Sequence, residues 1–353
     1  MAKKKTEINP DAVYLVAKLF FDGVPIKNIA KKVNDLIKLP KPLTRESIYP
    51  LLAHSRRLRY SRLVPPLEEA LSQKIAEAYK CNQEHITVVR TPAKELNAVV
   101  AHKAAIIALK LIRQTAAETL DGFVGLGLGP GRATLDFCQY LGEMLRSEID
   151  VPKLKLFAIS AGCPARLPEF SSTSFFNLFP RNIVEERIGL FAETLVPCHY
   201  FEELKKHPGI AEAYDNRHEI NIIITSMGDF EDQDDLLSMF LNQAGVDLDS
   251  LCAQGWIGSV QYRPFSAQGP IQEGENDKRA VTLFELEDFA KMAITKNKHV
   301  ILIARQCGSC GKTRARALRP LLEVPSLRLW SDLVMDEATA RELLQDSAEI
   351  KAA

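Results

Sequence analysis

The chain has 353 residues, 45 Lys and Arg balanced by 45 Asp and Glu, 46% apolar content and 25% charged content. That length fits one large domain with a small one attached, and the composition is that of an ordinary globular protein. No run nears the roughly 18 apolar residues that span a bilayer, and no apolar stretch follows the basic start M-A-K-K-K-T-E, so membrane and secretory classes are set aside. Seven scattered cysteines suit reduced thiols in a cytoplasm better than a disulfide framework.

Charge is unevenly spread. Residues 1–66 hold fourteen Lys and Arg against five Asp and Glu, so a basic head precedes an acidic body. Asp11 to Phe21 and Pro25 to Leu36 carry apolar residues at helical spacing. Thr44 is a good N-cap for a third helix running to Leu58, after which R-Y-S-R-L-V alternates like a strand, or wing, up to Pro65-Pro66. Three small basic helices and a wing describe a helix-turn-helix module for duplex DNA. Arg45, Ser47 and Tyr49 lie early in the third helix, where base edges are read; Lys31, Lys32, Arg56, Arg57 and Arg59 suit phosphates. Two features depart from the motif: a long segment from Ile37 to Leu43, and Pro50, which fits a helix that starts near Tyr49. A helical dimerisation or docking module is the alternative.

Leu67 to Tyr79 reads as a linker helix, His85 to Arg90 as a strand, and Leu96 to Leu120 as a long alanine-rich helix. The stretch D-G-F-V-G-L-G-L-G-P-G-R-A-T-L that follows reads as strand (Phe123 to Leu128), glycine turn (Gly127, Gly129, Gly131) and helix from Arg132. Such a turn aims backbone N–H groups and a helix N-terminus at one point, which attracts anions. Its spacing is not that of a dinucleotide fold. Further strands are read at Lys155 to Ser160, Ile220 to Ser226, His299 to Ala304 and Leu327 to Leu333. Helices are read at Val184 to Leu195, Phe201 to Tyr214, Gln233 to Gln243, Leu283 to Thr295 and Thr313 to Leu322. Apolar strands alternating with helices imply a Rossmann-like α/β domain with a parallel sheet covered on both faces.

In such sheets ligands collect at the carboxyl ends of strands. The strand exits here carry Gly129, Gly131, Arg132 and Thr134, then Gly162, then Gly228 and Asp229, with Gly258, Arg263 and Lys312 from later segments. Small residues with three cations suit a small anionic polyol such as a sugar phosphate.

Taken together, R-L-V-P-P-L-E-E-A-L, G-L-G-P-G-R-A-T-L, G-W-I-G-S-V, the Gly308 to Lys312 segment and W-S-D-L-V-M-D-E-A-T-A-R-E-L-L resemble the SorC/DeoR-type sugar-binding transcriptional regulators. The resemblance implies a helix-turn-helix domain (1–66), a linker helix (67–80) and an effector domain (81–353) of the sugar-phosphate isomerase/deaminase type. It also implies that Gly129, Gly131, Arg132 and Thr134 hold a phosphate, that Lys312 faces the ligand, and that a homodimer or homotetramer grips the operator. Ser259 stands where that family commonly has an acidic residue.

Cys307-x-x-Cys310 is read as free thiols in a ligand loop, since zinc would need two more ligands, with Cys163, Cys198 or His199 as the candidates. Asp229, Glu231, Asp232, Asp234 and Asp235 are read as a solvated helix start, with Asp229 kept as a candidate general base. The expectation is therefore a cytoplasmic regulator with no cofactor, metal or catalytic residue. A sugar-phosphate isomerase or deaminase is the alternative.

Overall fold

The computed structural model describes residues 9–57, 64–91, 98–119, 122–148, 150–163, 165–232, 235–274 and 277–352. The chain divides into two compact units, Met1–Val64 and Pro65–Ala353.

The smaller unit is three helices, α1 (Pro10–Phe21), α2 (Ile26–Leu36) and α3 (Arg45–Arg57). Asn9 caps α1 by accepting the N–H groups of Asp11 and Ala12. Ala12, Val16, Ile29, Ala30, Val33 and Ile48 form the core between the helices. The long segment before α3 is anchored. Leu39 and Leu43 pack on that core, and the Asn34 side-chain amide donates to the Leu43 carbonyl (2.9 Å) and accepts its N–H (2.8 Å). One side chain thus stands in for a backbone partner on both sides of one residue. The third helix begins at Arg45, not near Tyr49, and continues through Pro50. The strand expected at residues 59–64 lies almost wholly outside the described residues.

The larger unit starts with α4 (Glu69–Ala78), β1 (Ile86–Val89), α5 (Ala98–Glu118), β2 (Phe123–Leu128), α6 (Arg132–Ser147) and β3 (Lys153–Ala158). Next come β4 (Val184–Ile188), β5 (Leu195–Pro197), α7 (Cys198–Leu204), α8 (Ala211–Asp215), β6 (Ile220–Asp229), α9 (Leu236–Gln243) and α10 (Asp249–Ala253). The chain ends with β7 (Trp256–Val260), β8 (Arg263–Ser266), β9 (Lys278–Ala280), α11 (Leu286–Ile294), β10 (His299–Ala304), α12 (Ala315–Glu323), β11 (Asp332–Asp336) and α13 (Glu337–Ala352). Seven strands run parallel in the order β1-β11-β10-β6-β2-β3-β4. Successive residues of β2, β10 and β11 are buried after the first, and since neighbours point to opposite faces, both faces are covered. In this sheet pairing turns antiparallel where β7 and β8 extend the far end of β6, and β5 and β9 form a separate antiparallel pair.

Four expectations change. Val184 to Leu195 is not a helix. Val184 and Ile188 share a helical spacing, but Gly189 follows, and V-E-E-R-I pairs with β3 as an edge strand whose charges stay exposed. Phe201 to Tyr214 is two short helices broken at Pro208-Gly209. The last strand is Asp332–Asp336, because Leu327 closes a short turn begun at Pro325 and the buried Trp330 donates to the Leu321 carbonyl. The helix read as a linker is part of the larger unit: α4 packs on β1 and α13, and the Tyr79 hydroxyl donates to the Leu343 carbonyl.

Replacing Asn34 with Ala removes both hydrogen bonds to Leu43 and should cost about 1–2 kcal/mol. The check is hydrogen exchange on the full chain: faster exchange confined to the smaller unit is expected, and unchanged protection at Leu43 would contradict this account.

Candidate functional site

Strand order locates the site. From β2 the chain moves outward to β3 and β4, then returns to the other side of β2 as β6. Crossovers diverge at such a point and leave a crevice at the carboxyl ends of the strands. A cavity of ≈ 110 Å³ opens there. Pro130, Gly131, Arg132 and Ala133 after β2 form one wall, Ser226 to Gly228 of β6 the floor, and Arg305 to Gly308 after β10 the opposite wall. Asp232, Asp235, Gln261, Tyr262 and Arg314 complete it.

Gly131 is the first residue that the geometry fixes. Its φ of +108° is open to glycine and strained for other residues, and it starts α6 with no side chain capping the helix. The Arg132 guanidinium lies over the Phe170 ring and donates to Ser309 Oγ (2.8 Å). An uncapped helix start with Arg132 beside it is the anion-attracting arrangement read from the sequence.

Gly129 serves a different purpose. Its N–H donates to the Ile224 carbonyl (2.9 Å), and a Cβ there would collide with the side-chain amide of Gln261. That amide is fully engaged: Ser160 Oγ donates to its oxygen, and its nitrogen donates to Thr225 Oγ1 (2.6 Å). Gln261 and Tyr262 both have positive φ, +54° and +61°, and form the two-residue turn between β7 and β8. Neither is a glycine, so the turn costs on the order of 1–3 kcal/mol per residue, offset by the buried bonds of Gln261. The turn places Tyr262 at the cavity, its hydroxyl buried without a hydrogen-bond partner.

Two further arginines line the cavity, each in an ion pair. Arg305, largely buried, pairs with Asp136 of α6 (2.6 Å). Arg314 pairs with buried Asp232 through one nitrogen, while its Nη1 is buried without a partner. Burial works against the Arg314 charge, and Asp232 more than restores it. A buried guanidinium N–H left unpaired is costly. Arg314 is also one of the residues that line the cavity.

The acidic run is only partly solvated. Asp229, Asp232 and Asp235 are buried. Asp229 is raised by burial and accepts the Glu231 N–H (3.0 Å), apart from the residues that line the cavity. Asp235 caps α9 through the Ser238 N–H (2.9 Å), and burial pushes its carboxyl up to about 6. Buried Asp336 caps α13 through the Thr339 N–H (2.8 Å) and also accepts the N–H of Gln306 (2.6 Å), tying the cavity wall to the C-terminal helix.

Of the residues named from the sequence, Gly131, Arg132 and Gly228 meet at the cavity. Thr134 is buried in the first turn of α6, Gly162 makes room for Thr194, and Gly258 lies against the Gly228 carbonyl. Arg263 turns away: it is buried between Glu273 (2.8 Å) and Glu285 and lines a separate cavity. Lys312 is exposed beside Glu231 (3.6 Å). The spacing of strand exits carries no information on where a long side chain points. Gln261, Tyr262, Arg305 and Arg314 were missed, although their nearness to a strand end was a usable signal. In the smaller unit Lys31, Lys32, Arg45 and Tyr49 are exposed, and Ser47 Oγ accepts the Thr44 N–H (3.2 Å). Arg56 and Arg57 fall in α3 with side chains outside the described set, and Arg59 lies outside the described residues.

A family model described as "Putative sugar-binding domain" matches residues 67–345. Among solved structures, the chain is similar to the full-length sorbitol operon regulator SorC from Klebsiella pneumoniae, with 14% identity, a TM-score of 0.62, and 96% of this chain and 100% of that one covered. It is also similar to a DeoR family transcriptional regulator from Listeria monocytogenes (17% identity, TM-score 0.56, coverage 78% and 98%). A transcriptional regulator from Streptococcus pneumoniae is similar at 13% identity and TM-score 0.57, with 79% and 97% covered. No protein of curated function matches the sequence. Among the described residues no helix is long and apolar enough to cross a membrane.

Two outcomes test this geometry. Gly129→Ala should displace the Gln261 amide and lower stability by about 1–3 kcal/mol, read as a lower denaturant midpoint; an unchanged midpoint would show that the amide is not held there. An Asp whose folded value is raised to about 6 from 3.8 stabilises the fold in acid, in full below 3.8, and loses that contribution as pH rises through 6. Asp235→Asn should therefore gain about 2–3 kcal/mol on the wild type between pH 4 and 7. A difference that does not vary with pH would show that Asp235 titrates normally.

Proposed function

The chain belongs to the sugar-binding family whose model spans most of its length, and from that premise we propose that it is a transcriptional regulator whose hold on duplex DNA is set by a phosphorylated sugar bound at the β2/β6 crevice. The observation that carries the ligand class is that Arg314, whose Nη1 is buried without a partner, lines one cavity with Arg132 and the uncapped start of α6. Guanidinium groups and helix N-termini are the donors that suit phosphate oxygens. Ser226, Ser259 and Tyr262, whose hydroxyl has no partner, line the same cavity and suit sugar hydroxyls. Asp229 does not line the cavity, which favours binding over general-base chemistry.

The smaller unit supports the DNA half of the reading. Its exposed Lys31, Lys32 and Arg45 suit phosphates, and Tyr49 stands exposed early in α3. Control follows by linkage: a ligand that binds two arrangements of an oligomer unequally shifts their populations, and DNA affinity changes in proportion.

A panel of sugar phosphates and their unphosphorylated parents, added to the full-length protein, tests this. At least one phosphorylated member should raise Tm and change the Kd for labelled duplex by about 5–150-fold, the range typical of allosteric coupling. Arg132→Ala should weaken that member's binding by about 10–100-fold, the loss of a charged hydrogen bond. Equal binding of the unphosphorylated sugars, or an unchanged response in Arg132→Ala, would contradict the phosphate assignment. Absence of duplex binding even at low salt would remove the regulator.

A further inference from the structure

The sulfur pair after β10 is a cluster that sugar binding leaves unused. Cys307, Cys310 and Asp232 bring two sulfurs and one carboxylate oxygen within 4.8 Å of one another. Cys307 is buried and Cys310 is exposed. Both thiols meet the same atom, Asp232 Oδ1, at 3.3 and 3.5 Å. A tetrahedral zinc ion with bonds of about 2.3 Å to sulfur and about 2.0 Å to oxygen holds sulfur and oxygen about 3.5 Å apart. Those separations are already the edges of such a tetrahedron.

Backbone and charge agree with this reading. The C-x-x-C turn is closed by the Cys307 N–H on the Lys312 carbonyl (2.8 Å) and by the Gly311 N–H on the Cys307 carbonyl (3.0 Å). Gly311 takes a φ of +74° in this turn, and both sulfurs lie close to Asp232. Two thiolates and the Asp232 carboxylate carry three negative charges. A divalent ion and the paired Arg314 cancel all three, so the loaded site is neutral where it is most buried. Among the described residues, Cys163, Cys198 and His199 are not part of the group. The third ligand is instead an acid that in sequence looked like part of a solvated run.

We propose that Asp232, Cys307 and Cys310 bind a zinc ion, with the fourth position open toward the cavity that Asp232 and Cys307 both line. Thiolate ligands favour zinc over magnesium or calcium, and three protein ligands leave a place for water or for a hydroxyl of a bound ligand. The site stands on its own geometry and does not depend on which molecule occupies the cavity.

The experiment uses full-length protein, reduced and stripped of metal, titrated with zinc against a chromophoric chelator and separately with cobalt(II). One zinc per chain is expected. Cobalt should give a sulfur-to-metal charge-transfer band with the strong visible bands of a tetrahedral ion. Cys310→Ser, which changes an exposed residue, should weaken zinc by tenfold or more, and Cys307→Ser/Cys310→Ser should abolish the charge-transfer band while far-ultraviolet circular dichroism is kept. Failure of the reduced wild type to bind zinc, or the weak spectrum of octahedral cobalt without a sulfur band, would overturn the proposal. So would equal binding by the double variant.

Discussion

One buried side-chain amide holds the candidate site together. Gln261 accepts from Ser160 just past β3 and donates to Thr225 in β6, and it occupies the space that Gly129 leaves after β2. Three chain segments distant in sequence converge on four polar atoms, all satisfied. The arrangement explains why two residues other than glycine tolerate left-handed backbone in the β7–β8 turn: relaxing the turn would pull a bonded amide out of the interior, which costs more than the strain. Tyr262 is carried along by this constraint. It packs edge-on against Phe240 and lines the cavity.

The electrostatics follow a second rule, that the largely buried arginines lining the crevice are each paired with a carboxylate. Arg305 leans on Asp136 and Arg314 on Asp232. Burial raises the Asp235 carboxyl to about 6, so the crevice loses one negative charge as the pH falls through that value and becomes more receptive to an anion in mild acid.

The core of the fold was legible in the sequence because its signals are local. The β2–turn–α6 unit reads directly from alternating glycines followed by Leu135, Phe137, Cys138 and Leu141 at helical spacing. The small helical unit reads from amphipathic periods. Where signals are not local, reading failed. Val184 and Ile188 satisfy a helical and an extended spacing alike, and only pairing with β3 decides between them. The β7–β8 hairpin has Gln-Tyr in place of the Asn-Gly type of turn, so it gives no cue. The glycine turn read as an anion site does line the crevice through Gly131 and Arg132, whereas Arg263 and Lys312 do not. Arg263 and Lys312 are drawn off by Glu273, Glu285 and Glu231, partners supplied by the tertiary structure. Asp232 sat in an acidic run that resembled surface, until folding set it beneath Arg314 and two thiols.

Asp336 has a reach beyond capping. It holds the Gln306 backbone at the cavity wall and begins α13, and α13 is bonded to α4 through Tyr79 and Leu343. The first turn of α4 begins only a few residues after the larger unit does. Within the larger unit, the crevice wall and α4 are therefore joined by a short relay of one carboxylate, one helix and one phenol, so the C-terminal helix braces the first helix of that unit against the wall after β10 although the two lie far apart in sequence.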